Sequence, residues 1–524
     1  MPRDLAGSHA GDARSSLMMG APAVRPVLAR WSGFWPTRWP LWLLVAVTFI
    51  VYATFSLARH RAYGTAGYDL GIFDQAVRAY AHWRAPIVPL KGVGYNVFGD
   101  HFHPIIATAA PFYWIWDHPQ TLLLLQAALV ASSVLVVYRF TRRRTSNVGS
   151  LVVAFAYASS WALQTLVNFN VHEVAWGLPI LALALDALDR EDDRQLLIFA
   201  GLLLLVREDM GVLVLLLGVL RLFRRPRWIG VVLVLGGVIA YELTTAVILP
   251  HFAPSGRFAY WQYTETLGPD LPSAVRTLVT RPWHVVKLFF SPGVKTETTL
   301  LLLLPLLLLP LRSRYAILAL PLLAQRFFEP PARENLWYPA FHYNALPWIV
   351  LVLAMIDGAD RLGVWRRPRV RVAVLVALAA IPVAMLVVDP RIAGRQIVAV
   401  RTLFTGHVLS RSALTRAQDA VVARIPRDVC VEADDRLAGH LTDRDYVTLP
   451  PGQHHTADFV ALDLSQRDVG NFGPAPAAAL ADAQAAGYER LFAKDSLVLL
   501  QSPRYTGPSA QCGPLGSGHP GAGG

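Results

Sequence analysis

The stretch "GYDLGIFDQ" (67–75) sets two carboxylates, Asp69 and Asp74, about ten residues beyond the end of the first hydrophobic run. A carboxylate so placed can serve as a general base, taking the proton of an attacking hydroxyl. The plainer roles are a helix cap and a surface ion pair. Phe73, Ala76, Val77 and Tyr80 recur at helical spacing, which predicts a helix beginning here with Asp69 near its N-cap. Asp74 lies four residues before Arg78, the spacing of an intrahelical ion pair. Five residues on a helix rotate by about 140°, so the two carboxylates share a face only if the segment before Leu70 is irregular. That favours one catalytic carboxylate over a metal-binding pair.

Four further stretches carry groups with chemical potential. "GDHFHP" (99–104) offers Asp100, His101 and His103. Two histidines at i, i+2 face one metal only in an extended segment, and no third ligand follows at a zinc-site spacing, so a polar wall for a substrate is the favoured reading. "NFNVHE" (168–173) puts His172 and Glu173 at the mouth of an apolar run, where interfacial capping is the alternative. "VREDMG" (206–211) interrupts nearly thirty apolar residues with Arg207, Glu208 and Asp209. Charges there are costly unless they pair or face an aqueous cavity, and a tight turn with Arg207 paired to Asp209 or Glu208 is the bland solution. "ENLWYPAFHYN" (334–344) mixes Glu334, Asn335, Trp337, Tyr338, His342, Tyr343 and Asn344, flat aromatics beside planar polar groups. Such a mixture suits a sugar ring, although an aromatic belt at a membrane surface accounts equally for Trp337 and Tyr338. No G-x-x-x-x-G-K-[ST], G-x-S-x-G or H-E-x-x-H motif occurs, so nucleotide hydrolysis, serine hydrolysis and zinc proteolysis have no support.

The elements that must position these groups are membrane spans. The chain has 524 residues, 54% hydrophobic and only 16% charged, which describes a polytopic membrane protein. Its net charge of +12 does not point to nucleic acid, because arginines cluster at the ends of apolar runs ("RFTRRR", "RLFRRPR", "LRSR", "WRRPRVR"), where positive charge sets topology. The runs expected to cross are 40–57, 120–138, 148–166, 173–188, 196–206, 210–223, 228–250, 298–311, 314–325, 346–357 and 371–389. The first is followed by "RHRAYG" rather than a small-residue cleavage site, so it is expected to stay as a helix. With residues 1–39 cytoplasmic, the arginine-rich turns all fall on the cytoplasmic side. The apolar stretch 104–116 would break that order if it crossed, and it is expected to lie in the interface or re-enter.

Under this scheme every unexplained polar stretch falls on the extracytoplasmic face, the first large loop being 58–119. Residues 391–503 read as a small extracytoplasmic α/β domain, with strand-length apolar runs between helical stretches, and 504–524 as a disordered Gly/Pro/Ser-rich tail. The fold class expected is therefore mainly α, a multi-pass helical bundle of about eleven spans with a small α/β domain at its C-terminal end. Cys430 and Cys512 are the only cysteines; outside the cell they could pair, and the sequence leaves that open.

In the ordered set "GYDLGIFDQAVRAY", "GDHFHPI", "FNVHEVAWGLPIL", "LLLLVREDMGVLVL", "RIPRDVCVEADDRLAGHLTDRDYVTLP" and "ADFVALDL", the chain resembles the bacterial membrane proteins of domain-of-unknown-function family 2079. By architecture that family looks like the GT-C class of membrane glycosyltransferases. The resemblance implies transfer of a sugar from a polyprenyl-phosphate donor to an envelope acceptor at the outer face. It also implies a base in the first loop, for which Asp69 is the best positional match. No adjacent Asp-Asp or Asp-Glu pair stands in that loop, which leaves the need for a divalent metal open, and no metal ligand is assigned.

On this reading Asp69, Arg207 and Glu208 carry the chemistry. Arg207, with His103 or His172, offsets the charge on the departing phosphate, and Glu208 or Asp209 orients Arg207 or the acceptor. Asp74, His101, His103, His172, Glu173, Asp209, Glu334, Asn335, His342 and Tyr343 are expected to contact substrate. Two other classes compete. A transporter or lipid-handling protein would use "VREDMG" to line a pathway; a scaffold would act through its tail domain alone.

Overall fold

The first apolar run forms the 23-residue helix Trp39–Arg61, whose single proline, Pro40, sits in the first turn where no intrahelical bond is lost, and which closes on Arg59, His60 and Arg61. In lipid each backbone N–H and C=O must be satisfied within its own segment, which is why uninterrupted apolar runs of this length become helices. The computed structural model describes residues 39–508 and Cys512, apart from 259, 261–265, 270, 452–455 and 471–472. The expected cytoplasmic segment up to residue 38 and most of the expected disordered tail lie outside the described residues.

Among the described residues six helical stretches are long and apolar enough to cross a membrane: Trp39–Arg61, Gln120–Arg142, Asn147–Asn168, Trp228–Phe252, His342–Arg361 and Pro368–Val388. Four other expected crossings are shorter helices, Val174–Asp189, Asp193–Leu203, Met210–Leu222 and Ala319–Phe327. Length alone thus supports six crossings rather than eleven, since a lone span needs about 20 residues.

The eleventh, 298–311, is not one helix. Pro305 and Pro310 each remove a backbone donor, and after helix Gly293–Leu303 the chain makes two short 3₁₀ turns, Leu304–Leu306 and Leu309–Arg312. Between them Leu307 and Leu308 sit at φ 56° and 57°, in the left-handed region. Helix Ala345–Arg361 accommodates the break through Gly358, where a Cβ would collide with the Leu309 carbonyl. The stretch 104–116 does not cross: Pro104–Ala109 is 3₁₀ and Ala110–Tyr113 a single α turn, followed by exposed Trp114, Ile115 and Trp116.

One end of the bundle collects the arginine-rich turns. Asp186 takes Arg139, Arg143 and, at 3.0 Å, Arg190, while Asp189 takes Arg143 at 2.8 Å and Tyr315 Oη at 3.1 Å. At the other end lies the C-terminal part. A small hairpin pairs β1 (Arg391–Ile392) with β2 (Arg395–Gln396). A five-stranded sheet follows, built from β3 (Cys430–Ala433), β4 (Tyr446–Thr448), β5 (Phe459–Asp463), β6 (Glu489–Lys494) and β7 (Leu497–Gln501), in the order β4-β3-β5-β7-β6. β3 runs parallel to β4 and β5, and β7 antiparallel to β5 and β6. Alternation along β5 and β7 divides the faces: Val460, Leu462, Val498 and Leu500 pack on Ala479 and Ala483 of helix Pro476–Ala485. Phe459, Ala461, Leu497 and Leu499 join the core that runs on into the bundle. Cys430 and Cys512 form a disulfide that closes a separation of 82 residues.

Removing that cross-link should cost about 2–4 kcal/mol, because the unfolded chain regains the freedom of a long loop. A Cys430→Ser, Cys512→Ser protein should therefore lose its five-stranded sheet at a lower denaturant midpoint than wild type without reductant; equal midpoints would refute the assignment.

Candidate functional site

The segment Gly67–Gly71 is a single widened π turn leading into helix Ile72–Ala81, with the Gly71 N–H reaching back to the Ala66 carbonyl at 3.4 Å. Asp69 is thus not an N-cap: the cap position of the following helix is Gly71, and no side chain caps it. What shapes the turn is the C-terminal sheet region lying on it. A Cβ at Gly67 would sit 2.6 Å from Ala438 Cβ, so only glycine lets the short helix Asp435–Ala438 rest there. The Tyr68 N–H then donates to Asp435 Oδ1 at 2.6 Å.

Held this way, the Asp69 carboxylate accepts from Asn170 Nδ2 at 2.8 Å, and Asn170 Oδ1 in turn accepts from Arg59 Nη1 at 2.7 Å. Asn170 takes φ 61°, a left-handed conformation that asparagine tolerates better than most residues. Gln126 fixes the loop around it, donating to the Asn170 carbonyl at 2.6 Å and accepting from the His172 N–H at 3.0 Å. The Asp69 side chain keeps 23% of its surface exposed, enough for a ligand to reach it. Burial pushes its pKa up to about 7; the Asn170 hydrogen bond and Arg59 oppose this, and the carboxylates of Asp435 and Glu173 add to it.

From Asp69 a row of polar groups runs across the bundle end. His172 Nε2 stands 4.0 Å from Asp69 Oδ1, and His172 Nδ1 4.0 Å from Glu173 Oε2. Both separations exceed a direct hydrogen bond. Glu173 Oε1 accepts from Arg207 Nη1 at 3.2 Å, and Arg207 grips Asp209 through Nε at 2.8 Å and Nη2 at 2.6 Å. Burial holds His172 down at about 4, so its imidazole is neutral near pH 7. Its ring stacks on His342 at 3.5 Å, and the Tyr343 ring lies tilted against His342 with centroids 4.0 Å apart. Phe73 lies between His172 and His103, 6.0 and 5.4 Å from their centroids. His103 Nδ1, His172 Nε2 and His342 Nδ1 are buried and make no hydrogen bond.

A second row adjoins the first. Glu208 accepts from the Phe102 N–H at 3.1 Å and pairs with His101 Nδ1 at 2.8 Å. The Ile105 N–H donates to the Leu205 carbonyl at 3.0 Å, stitching the histidine segment to the turn bearing Arg207. Burial disfavours a charged His101, but Glu208 and Asp100 outweigh it and hold the ring up at about 9, a cation at neutral pH. Asp100 pairs with Lys91 Nζ at 2.6 Å and accepts from Tyr260 Oη at 2.5 Å. Lys91 also lies over the rings of Tyr68 and Tyr95.

The fold therefore brings together Asp69, His101, His103, His172, Glu173, Arg207, Glu208, Asp209, His342 and Tyr343. Arg207 makes the bland pairing to Asp209 and a second bond to Glu173, while Glu208 turns to His101. Three expected residues stand apart. Asp74 is wholly buried, bonded to Arg78 Nη2 at 3.0 and 3.1 Å and to Tyr113 Oη at 2.6 Å, which leaves no face for a substrate. Glu334 is exposed and Asn335 half-buried, and neither side chain bonds to the cluster. Arg59, Lys91, Asn170, Tyr260 and Asp435 were not expected. Arg59 had a readable signal, an arginine at the wrong end of a helix for topology; Asp435 had none, because its neighbour in space is 367 residues away in sequence. Among the described residues no group of three or more His, Cys, Asp or Glu side chains is placed to hold a metal ion.

The family model described as "Predicted membrane protein (DUF2079)" matches residues 59–499. No curated protein matches the chain. Among solved structures, ArnT from Cupriavidus metallidurans matches both bound to undecaprenyl phosphate and in the apo state. In each case identity is 14%, the TM-score 0.50 and the coverage 87% of this chain and 97% of that one. At that identity the likeness shows a shared fold, that of a multi-pass membrane protein.

A carboxyl with a raised pKa is protonated below it and reacts then with a hydrophobic carbodiimide. Labelling of Asp69 should fall as pH rises through about 7. Asn170→Ala, which removes a bond favouring the charged form, should move the midpoint up, and Asp435→Asn, which removes a nearby negative charge, should move it down. A wild-type midpoint near the ordinary 3.9 of aspartate would refute the electrostatic picture.

Proposed function

The chain belongs to the predicted membrane protein family DUF2079, and from that premise we propose that it is a GT-C-type membrane glycosyltransferase. It moves a sugar from a polyprenyl-phosphate donor to a cell-envelope acceptor at the extracytoplasmic face. The observation that carries this reading is Asp69: a partly open carboxylate, raised to about 7, at the head of a row that leads through neutral His172 and Glu173 to Arg207. The likeness in fold to ArnT, seen bound to undecaprenyl phosphate, agrees with a lipid-phosphate ligand.

Asp69 takes the proton of the acceptor hydroxyl as its oxygen attacks the anomeric carbon. The bond from that carbon to the phosphate oxygen breaks, and its electron pair leaves with the polyprenyl phosphate. Attack opposite the leaving group inverts the anomeric centre. A base whose pKa lies near the working pH is best suited to such a transfer. Of the five guanidinium N–H groups of Arg207, three are committed to Asp209 and Glu173. Two remain for the phosphate, where charge-assisted bonds are strongest. The cation at His101 adds to the same field. Glu173 and Asp209 position Arg207, and the half-buried ring of Tyr343 offers a flat surface for a sugar ring.

The orientation has its own support. Disulfides persist in oxidising compartments, which suits a sheet domain outside the membrane. The arginine-rich turns gather at the opposite end, as cytoplasmic loops do. On this reading the N-terminus is cytoplasmic and the chain crosses eleven times, its short helices sheltered by longer neighbours. The broken segment around Leu307 and Leu308 is a feature that transporters share. Here its backbone packs against Gly358 of helix Ala345–Arg361.

Asp69→Asn should lower the rate of transfer from a polyprenyl-phosphate sugar by 10²–10⁴-fold, roughly what a general base contributes. Wild-type kcat/KM should fall on the acid side with a midpoint near 7, where the base becomes protonated. A variant as fast as wild type would remove Asp69 from the mechanism.

A further inference from the structure

The first helix ends in a basic triplet, Arg59-His60-Arg61, at the end of the bundle that carries the sheet domain. Positive charge has no topological task there if that end is outside. Arg59 is absorbed by the candidate active site through Asn170. Its two neighbours line a separate cavity of about 180 Å³, far more than the roughly 10–15 Å³ that admits one water.

Three remote parts of the chain enclose this cavity, and each side chain they contribute is polar. Its wall is a stack of rings: His440 of the sheet domain lies between His60 at 4.0 Å and Tyr63 at 3.9 Å. Its donors are the guanidinium of Arg61, the side chains of His118 and Gln120 and, from the sheet domain, Arg411. One carboxylate faces them, Asp419, which pairs with Arg411 and accepts from Tyr63 Oη at 3.2 Å. Asp443 stands behind His118, 4.0 Å from its Nε2. Arg61 is exposed and has no ion-pair partner among the described residues, so its five donors are uncommitted.

The cavity also has a definite depth. His118 stacks on Trp116 at 5.3 Å, and Trp83, Trp114 and Ile115 nearby are 86%, 60% and 85% exposed. Exposed tryptophans at the end of a bundle mark the level of lipid headgroups, where one side of the ring is apolar and the other wet. An uncommitted guanidinium beside amide and imidazole donors, at that level, is built for a phosphate.

We infer that this cavity binds the phosphate of an anionic lipid headgroup, at a site separate from the Asp69 row and spanning the joint between the first helix and the sheet domain. A bound headgroup would bridge Arg61 and Arg411, tying the domain that covers Asp69 to the helix that carries Arg59. The inference concerns binding alone and stands independently of any transfer chemistry.

The test uses the purified full chain in vesicle-derived nanodiscs of phosphatidylcholine mixed with phosphatidylglycerol, with retained lipid measured by native mass spectrometry. Wild type should retain phosphatidylglycerol in excess, and Arg61→Gln, Arg411→Gln should reduce that excess roughly tenfold, the loss of a charge-assisted bond. Should the double variant misfold, Arg61→Gln alone, at an exposed position, should show the same loss. Inorganic phosphate added to delipidated protein separates the sources. Stabilisation of wild type but not the variant, without preference between the lipids, assigns the phosphate site to a soluble anion and overturns the lipid assignment. Equal retention of both lipids with no response to phosphate overturns the site itself.

Discussion

Charge beside a bilayer must be paired or wet, and the architecture of this protein follows from how it meets that demand. Its charges gather into networks at the two ends of a helical bundle whose middle is apolar. At one end Asp186 and Asp189 between them take four guanidinium groups and a phenol. The other end carries a larger share of open acceptors and imidazoles. Four imidazole nitrogens, one each on His103, His172, His342 and His440, are left without a hydrogen-bond partner, and Asp69 keeps part of its surface open. A buried polar atom without a partner is expensive, so an end built this way is poised for a ligand that the folded chain does not itself supply.

The sheet domain is part of that end rather than an appendage. It reaches the first loop through hydrogen bonds at Tyr68 and, from Gln75 Nε2 to the Val447 carbonyl, at 3.0 Å. The helix Asp435–Ala438 rests on the turn that holds Asp69 only because residue 67 is glycine. The carboxylate of Asp435 both fixes the turn and, as a nearby negative charge, helps keep Asp69 from ionising early. One contact thereby couples the orientation of a side chain to its proton affinity.

The two rows of polar groups divide the electrostatic work. His101 is held as a cation by the carboxylates of Glu208 and Asp100, while His172, between Asp69 and Glu173, is kept neutral by burial. A neutral imidazole adds no net charge to the field that Arg207 presents to an anion. Asp74, so close to Asp69 in sequence, belongs to neither row, because Arg78 and Tyr113 consume its acceptors.

The sequence by itself determined the class of molecule, since apolar runs of span length admit few structures in lipid and arginine placement orders them. It also determined most of the polar stretches that meet at one end, because loops that alternate across a membrane have only two faces to share. It predicted that Asp69 and Asp74 would point apart, and so they do, yet through a π turn and a buried ion pair rather than a capped helix. The break in the 298–311 run was written in Pro305 and Pro310, whereas tertiary structure alone decided that Asn170 and Arg59 would serve Asp69 and that Asp435 would clamp its turn. The physical reason is one of range. Hydropathy and charge act segment by segment and can be read along a chain, whereas a hydrogen bond between residues hundreds of positions apart depends on how the segments pack.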